Sequence, residues 1–321
     1  MLQLRLEECK PKGWTMAHTN DLELIANQGW DERILVCRNG ALVDTFIVVT
    51  ARYVVLVDTL INAATARAML GYARPYLVDH RQLLVINTHA DYDHAWGNQI
   101  FVAPHGEQPA PIVATRLCAQ QLQSADTIAA LQERQAQEPA IFGDVVLTPP
   151  TLLFDDRFLI DGGDLTLLLF ATPGHTPDHI SIYIPEIATL LAADGAEWPF
   201  PMARTVHGLS AMRQSLTQMA ALHLQTVLYC HAPVTMGPDL LQQNIAYFDA
   251  LEAHCRASLA AGVSADPPAD VDVAALINFP FAQAVPAGAY AAFLDEHHRT
   301  DWHPQQIRMM LAYLAQKIYS A

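Results

Sequence analysis

Short runs of apolar and β-branched residues alternate along the chain with longer stretches of helical spacing. Ile34–Arg38 and Phe46–Thr50 read as strands, with Asn39-Gly40 as a turn signal between them. Tyr53–Val57 is a continuous apolar run that stops at Asp58-Thr59. Asn62–Val78 has helical spacing and many alanines, and Leu83–Ile86 returns to strand before Asn87-Thr88-His89. Strand, helix and strand thus follow one another, with polar residues gathered where strands end, the place where ligands collect in α/β sheets.

The second half repeats the alternation. Residues 115 to 138 form an Ala/Gln-rich helical stretch. Strand-like runs follow at Val145–Leu147, Phe158–Ile160, Leu165–Phe170, Ile180–Ile184 and Thr189–Ala192, with Asp161-Gly162-Gly163-Asp164 as a turn. Ser210–His223 is helical, Thr226–Tyr229 is a strand, and Pro238–Ala260 is a long amphipathic helix. Gly262–Asp272 has the composition of a linker, and helices over Ala287–Asp295 and Gln305–Ser320 close the chain. Two β-rich halves, each ending strands in His or Asp, predict an α/β sandwich with the site where the halves meet.

Composition narrows the partners. Just over half of the 321 residues are apolar, enough for a large core, and the formal charge is −15. That charge disfavours nucleic acid and anionic membrane surfaces, though bound cations can reverse the sign locally. Cys9, Cys37, Cys118, Cys230 and Cys255 are odd in number and lack any CxxC pair, as expected of free thiols in a reducing compartment. Met1 to Lys12 lacks the apolar core of a secretion signal, so the cytoplasm is the expected location. The expected substrate is a small molecule, with no membrane partner and self-association left open. His297-His298 and His303 lack the spacing of a site and are expected at the surface.

The densest chemistry is Thr88-His89-Ala90-Asp91-Tyr92-Asp93-His94, followed by Ala95-Trp96-Gly97-Asn98. Four candidate ligands within six residues need a cation or protons to offset the repulsion among carboxylates. His and carboxylate together suit zinc, iron or manganese. The competing reading is a polar loop in which Asp caps a helix over His94–Asn98. Three more residues follow strands: His175 in Pro173-Gly174-His175, Asp194 in Ala192-Ala193-Asp194-Gly195, and His231 in Tyr229-Cys230-His231-Ala232.

In order, Asp58, the 89–94 cluster, His175, Asp194 and His231 closely resemble the five-motif signature of the metallo-β-lactamase superfamily, over roughly Ile34 to Pro233. The resemblance implies a four-layer αβ/βα sandwich, placed here at 1–237. The helical extension 238–321 would pack on the same domain. It implies that His89, Asp91 and His175 hold one divalent metal, that Asp93, His94 and His231 hold another, and that Asp194 bridges them. Asp58 would organise the metal loop from behind. Two zinc ions are the expectation.

Asp91 departs from the pattern, because the family commonly has histidine there. The extra carboxylate keeps iron or manganese open, and so does a site in which Asp91 does not ligate and one metal binds tightly. The resemblance further implies a metal-dependent hydrolase in which a metal-activated hydroxide attacks a carbonyl bond: a thioester, lactone, ester or amide. Asp93 would be the catalytic residue. A phosphodiester hydrolase, or an iron-dependent oxidoreductase or dioxygenase of the same fold, are the alternatives. Trp96, His179, Trp198, Phe200 and His207 are the candidate pocket residues, because they fall in segments expected beside the metals.

Overall fold

A computed structural model describes residues 18–319 apart from 286, 287, 289, 291–293 and 295. Cys9, the 1–12 segment and much of the helix expected over Ala287–Asp295 lie outside the described residues.

The first sheet has seven strands in sequential order, β1 Glu23–Ile25, β2 Ile34–Asn39, β3 Val43–Val49, β4 Tyr53–Val57, β5 Gln82–Ile86, β6 Ile112–Thr115 and β7 Leu152–Phe154. Pairing is antiparallel up to β4 and parallel from β4 to β7. Parallel neighbours need crossovers. Helix α1 Ala63–Ala73 provides the one between β4 and β5, started by an Asn62–Thr65 capping box.

The second sheet contains β8 Arg157–Asp161, β9 Thr166–Ala171, β10 Ile180–Ile184, β11 Thr189–Ala193 and β12 Thr226–Tyr229, in the order β12-β11-β10-β9-β8. Only β11 and β12 are parallel. The helices that follow α1 are the one-turn α2 Tyr92–Ala95, then α3 Arg116–Gln121, α4 Ala125–Gln137 and α5 Pro139–Phe142. Next comes α6 Val206–Ala220, which joins β11 to β12.

Strand alternation shows how the layers stack. Leu191, Ala193, Leu228 and Cys230 join the core between the sheets. Their neighbours Leu190, Ala192, Val227 and Tyr229 join a second core with α6, α7 Asp239–Ala260 and α10 His303–Tyr319. The short α8 Val273–Leu276 also feeds that core, through Val273, and α9 Phe281–Ala284 packs Phe281 against it. The result is the αβ/βα sandwich with a C-terminal helical extension. No helix among the described residues is long and apolar enough to cross a membrane.

Several expectations need correction. Val145–Leu147 pairs with no strand among the described residues. The stretch 115–138 is two helices, because Ser124 accepts from the Thr127 N–H and starts a new one. Strands β1, β6 and β7 have only 3 or 4 residues, too few to register as periodic runs. His303 is not at the surface: it is fully buried, bonded to Tyr247 Oη at 3.1 Å and to the Phe279 carbonyl at 2.8 Å. The Gly262–Asp272 segment is irregular, as its composition suggests, but Arg308 holds it by the carbonyls of Pro267, Pro268, Ala269 and Val271.

Candidate metal centre

Strands β4, β5, β9, β11 and β12 deliver their carboxyl ends to one edge of the sandwich, and the ligand-type residues expected there follow these strands, Asp93 and His94 on the one-turn α2. The edge is tied together by main-chain bonds. The Ile180 N–H donates to the Thr88 carbonyl at 3.0 Å, the Trp198 N–H to the His231 carbonyl at 3.0 Å, and the Asp44 N–H to the Cys230 carbonyl at 2.9 Å.

The 89–94 loop rests on a buried polar floor. Asn87 and Asn98 exchange side-chain bonds at 3.0 and 2.8 Å, and Asn98 also takes the Thr59 hydroxyl at 2.9 Å. Gly97 permits this approach, since a Cβ there would lie 2.1 Å from the Thr59 carbonyl oxygen. Asp91 stands at the N-cap of α2, yet its side chain makes no capping bond. The capping reading of the motif therefore fails. From the other sheet, Asp178 Oδ2 accepts the Ala90 N–H at 2.8 Å.

Asp58, fully buried at the end of β4, accepts the Thr88 N–H at 2.7 Å on one oxygen. Its other oxygen takes the Thr88 hydroxyl and His94 Nδ1, both at 2.8 Å. A proton fixed on Nδ1 leaves His94 Nε2 with a lone pair aimed at the cluster. Asp58→Asn should therefore lower the affinity for a metal held through His94 by roughly 10–100-fold without unfolding the chain. Isothermal titration with zinc reads this directly, and unchanged affinity would contradict the role.

At the centre stands Asp194. Its Oδ2 lies 3.6 Å from His89 Nε2, 3.3 Å from His94 Nε2, 3.5 Å from His175 Nε2 and 3.3 Å from His231 Nε2. On one side, Asp91 Oδ2 is 3.4 Å from His89 Nε2 and 3.2 Å from His175 Nε2. On the other, Asp93 Oδ2 is 3.4 Å from His231 Nε2 and 3.8 Å from His94 Nε2. Ligands about 2.0–2.1 Å from a tetrahedral ion stand about 3.3 Å apart, which is the spacing here.

A second observation agrees. His89 Nε2, His94 Nε2 and Asp194 Oδ1 are buried without hydrogen-bond partners, a rare condition for polar atoms unless something else satisfies them. The groups His89/Asp91/His175 and Asp93/His94/His231 could each hold a metal ion, with Asp194 between them, an arrangement that fits a dinuclear divalent centre.

The field of the cluster also favours cations. Burial alone would hold His94 and His231 neutral, but Asp194 and its neighbouring carboxylates outweigh it and raise both well above the usual histidine range. Burial pushes the carboxyls of Asp91 and Asp194 upward as well, yet Arg204 and His89 on the first, and His231 and His94 on the second, hold both well below the ordinary range.

Two charged residues of the site escape sequence reasoning. Arg204 pairs with Asp91. Glu197 is buried, with Oε1 lacking a hydrogen-bond partner 3.4 Å from His175 Nδ1. Burial and the charge of Asp194 push its carboxyl up to about 7. Both lie in the segment after Asp194, where residue type alone draws attention only to the aromatic residues and His207.

Those pocket residues are placed otherwise. His179 is fully buried behind the cluster, where its Nε2 accepts the Asp194 N–H at 3.1 Å and burial holds it well below the usual range. It is a neutral support. Phe200 stacks on Tyr247 with ring centroids 4.0 Å apart inside the second core, so it is no pocket wall. Trp96 is buried under the loop against Tyr92 and Phe142, and Trp198 is buried against Tyr290. His207 is exposed in the first turn of α6, and among the described residues no hydrogen bond joins it to the site.

A sequence profile of the metallo-β-lactamase superfamily matches residues 38–231. A hydroxyacylglutathione hydrolase from Saccharophagus degradans is 27% identical over 168 residues, covering 50% of this chain and 52% of that protein, so the match spans about half the length of that relative. A metallo-β-lactamase family protein from Thermus thermophilus superposes with a TM-score of 0.56 at 18% identity over 93% of both chains. A double mutant of the sec-alkyl sulfatase PisA1 gives a TM-score of 0.61 at 17% identity, over 90% of this chain and 49% of that one. With five motifs in order, two sheets in this topology and a profile match over more than half its length, the chain belongs to the metallo-β-lactamase superfamily.

Proposed function

We propose that this protein is a dinuclear metallo-hydrolase that cleaves a carbonyl bond of a small molecule, with thioesters the first class to try. The observation that carries the reading is the convergence of four histidine Nε2 atoms on one oxygen of Asp194, within 3.3–3.6 Å. His89, Asp91 and His175 hold one cation in this reading, Asp93, His94 and His231 the other, and Asp194 lies between. Two divalent ions, zinc foremost, supply Lewis acidity that acidifies water and polarises a carbonyl oxygen.

The chain's own groups do the rest. Burial raises the Asp93 carboxyl, but His94 and His231 outweigh it, so Asp93 stays ionised and can accept the proton of an attacking water. His94 is held to one tautomer by Asp58, and His175 by the Met202 carbonyl 3.1 Å from its Nδ1. We assign this chemistry to residues 1–237, with α7 and α10 of the 238–321 extension covering the outer face of the second sheet. The charge of −15 favours small substrates over nucleic acid. The four cysteines among the described residues are buried and free, which suits the cytoplasm.

Thioester as first choice rests on the Saccharophagus relative, whose named substrate class, an acylated glutathione, is a thioester. Metal analysis followed by a panel of thioesters, lactones and bis-nitrophenyl phosphate tests the reading. Two zinc ions per chain with turnover of a carbonyl substrate is the expected result. Turnover confined to the phosphodiester, or a single iron with oxygen consumption, would replace it.

A further inference from the structure

The histidine that the family commonly carries at position 91 is neutral, whereas Asp91 brings a full negative charge into a site that already holds Asp93 and Asp194. We infer that Arg204 is the countercharge of Asp91, that the two together stand in for that neutral histidine, and that Arg204 sets how tightly the first metal is held. The inference rests on the metal sites proposed above.

The geometry is specific to one atom. Asp91 Oδ2 is the oxygen that faces His175 Nε2 and His89 Nε2, at 3.2 and 3.4 Å. Arg204 Nη2 pairs with that same oxygen, while Nη1 stands 3.4 Å from Oδ1. The guanidinium thus straddles the carboxylate as a fork and draws on the electron density that a cation between His89 and His175 would use. The charges agree. Exchanging a neutral histidine for aspartate lowers the net charge of the centre by one unit, and the guanidinium restores it. Asp93, Asp194 and Glu197 act on Arg204 as well.

The placement of Arg204 is built into the fold. The segment before it is pinned to α10, where the buried Gln306 donates to the Pro201 carbonyl at 2.9 Å and accepts the Ala203 N–H at 3.3 Å. The Met202 carbonyl meets His175 Nδ1 at 3.1 Å, and Thr205 caps α6 immediately afterwards. A C-terminal helix beyond the residues matched by the family profile thereby pins the backbone that leads into Arg204.

Zinc affinity measured by chelator competition, together with the visible spectrum of the cobalt-loaded protein, tests this without recourse to activity. Arg204→Gln should tighten the zinc ion held by His89, Asp91 and His175 by about tenfold or more, because it removes both a competitor for Oδ2 and a repelling charge, an effect within the range of neighbours that tune metal ligands. Arg204→Lys, which keeps the charge, should stay close to the native affinity. In an Asp91→His background the Gln substitution should gain less than in the native one.

Unchanged or weakened zinc binding in Arg204→Gln would overturn the inference, and so would equal gains in both backgrounds. A native protein that takes up no divalent metal would instead sink the reading on which it rests.

Discussion

Asp194→Ala is expected to strip both metals from the protein and to lower turnover by on the order of ten-thousand-fold, with the fold retained. Among the described residues Asp194 Oδ2 is the one oxygen placed within 3.3–3.6 Å of all four histidine Nε2 atoms, so none of its described neighbours can replace it on both sides. Asp93→Ala makes the informative contrast. Asp93 pairs with His94 and His231, on one side of the cluster, so its loss should abolish turnover while the ion held by His89, Asp91 and His175 stays.

The fold should survive either change. Neither side chain belongs to the two apolar cores, and the bond from the Asp194 N–H to His179 Nε2 is made by the main chain. Metal content per chain, circular dichroism and turnover on the best substrate of the panel separate the outcomes. An Asp194→Ala protein that keeps two zinc ions and its activity would rule out the bridging position.

How much of this can be read from the sequence depends on how local each signal is. The 89–94 cluster and the single His or Asp after β9, β11 and β12 are legible because each follows a buried apolar run, and the end of a buried strand is where polar residues need a reason. Asp58 is legible for the same reason. The structure gives it three bonds, to Thr88 and His94, that no spacing rule contains.

Arg204 and Glu197 are not legible. Their importance comes from neighbours 113 residues away in one case, and from burial in the other. A lone Arg in a Pro-rich segment looks like any solvated cation. The pocket aromatics mislead for the converse reason. An apolar side chain near a site in sequence is equally suited to the core, and α7 and α10 supply a core that claims Phe200. That long-range packing also explains His303, whose polar atoms are satisfied by Tyr247 and Phe279 from other elements.

Removing the metals should make stability fall as pH rises through neutrality, and restoring zinc should abolish that fall. In the chelated protein, His94 and His231 have pKa values raised well above the histidine reference of 6.5. The folded chain then holds protons that the unfolded chain has released. This contribution is complete below about pH 6.5 and is lost as the pH climbs through the raised folded values.

Glu197 acts in the same direction. Its carboxyl ionises near 7 when folded, against a reference of 4.5, so folding becomes costlier between those values. Asp91, Asp93 and Asp194 act oppositely, since their depressed values add stability above 3.8 that is lost only in stronger acid. The chelated protein should therefore be most stable in mild acid.

Each pH unit over which the folded chain holds one extra proton changes stability by about 1.4 kcal/mol. A decline in Tm on the order of 5 °C or more between about pH 6 and 9 follows for a chain of this size. Zinc ions replace those protons as the positive charge among the carboxylates, so the loaded protein should hold its Tm across the same range and release metal on acidification. Thermal unfolding across that pH range, with and without chelator, provides the measurement. A flat profile for the chelated protein would mean that the histidines around Asp194 do not share its charge, and the tight cluster on which the metal assignment depends would lose its electrostatic basis.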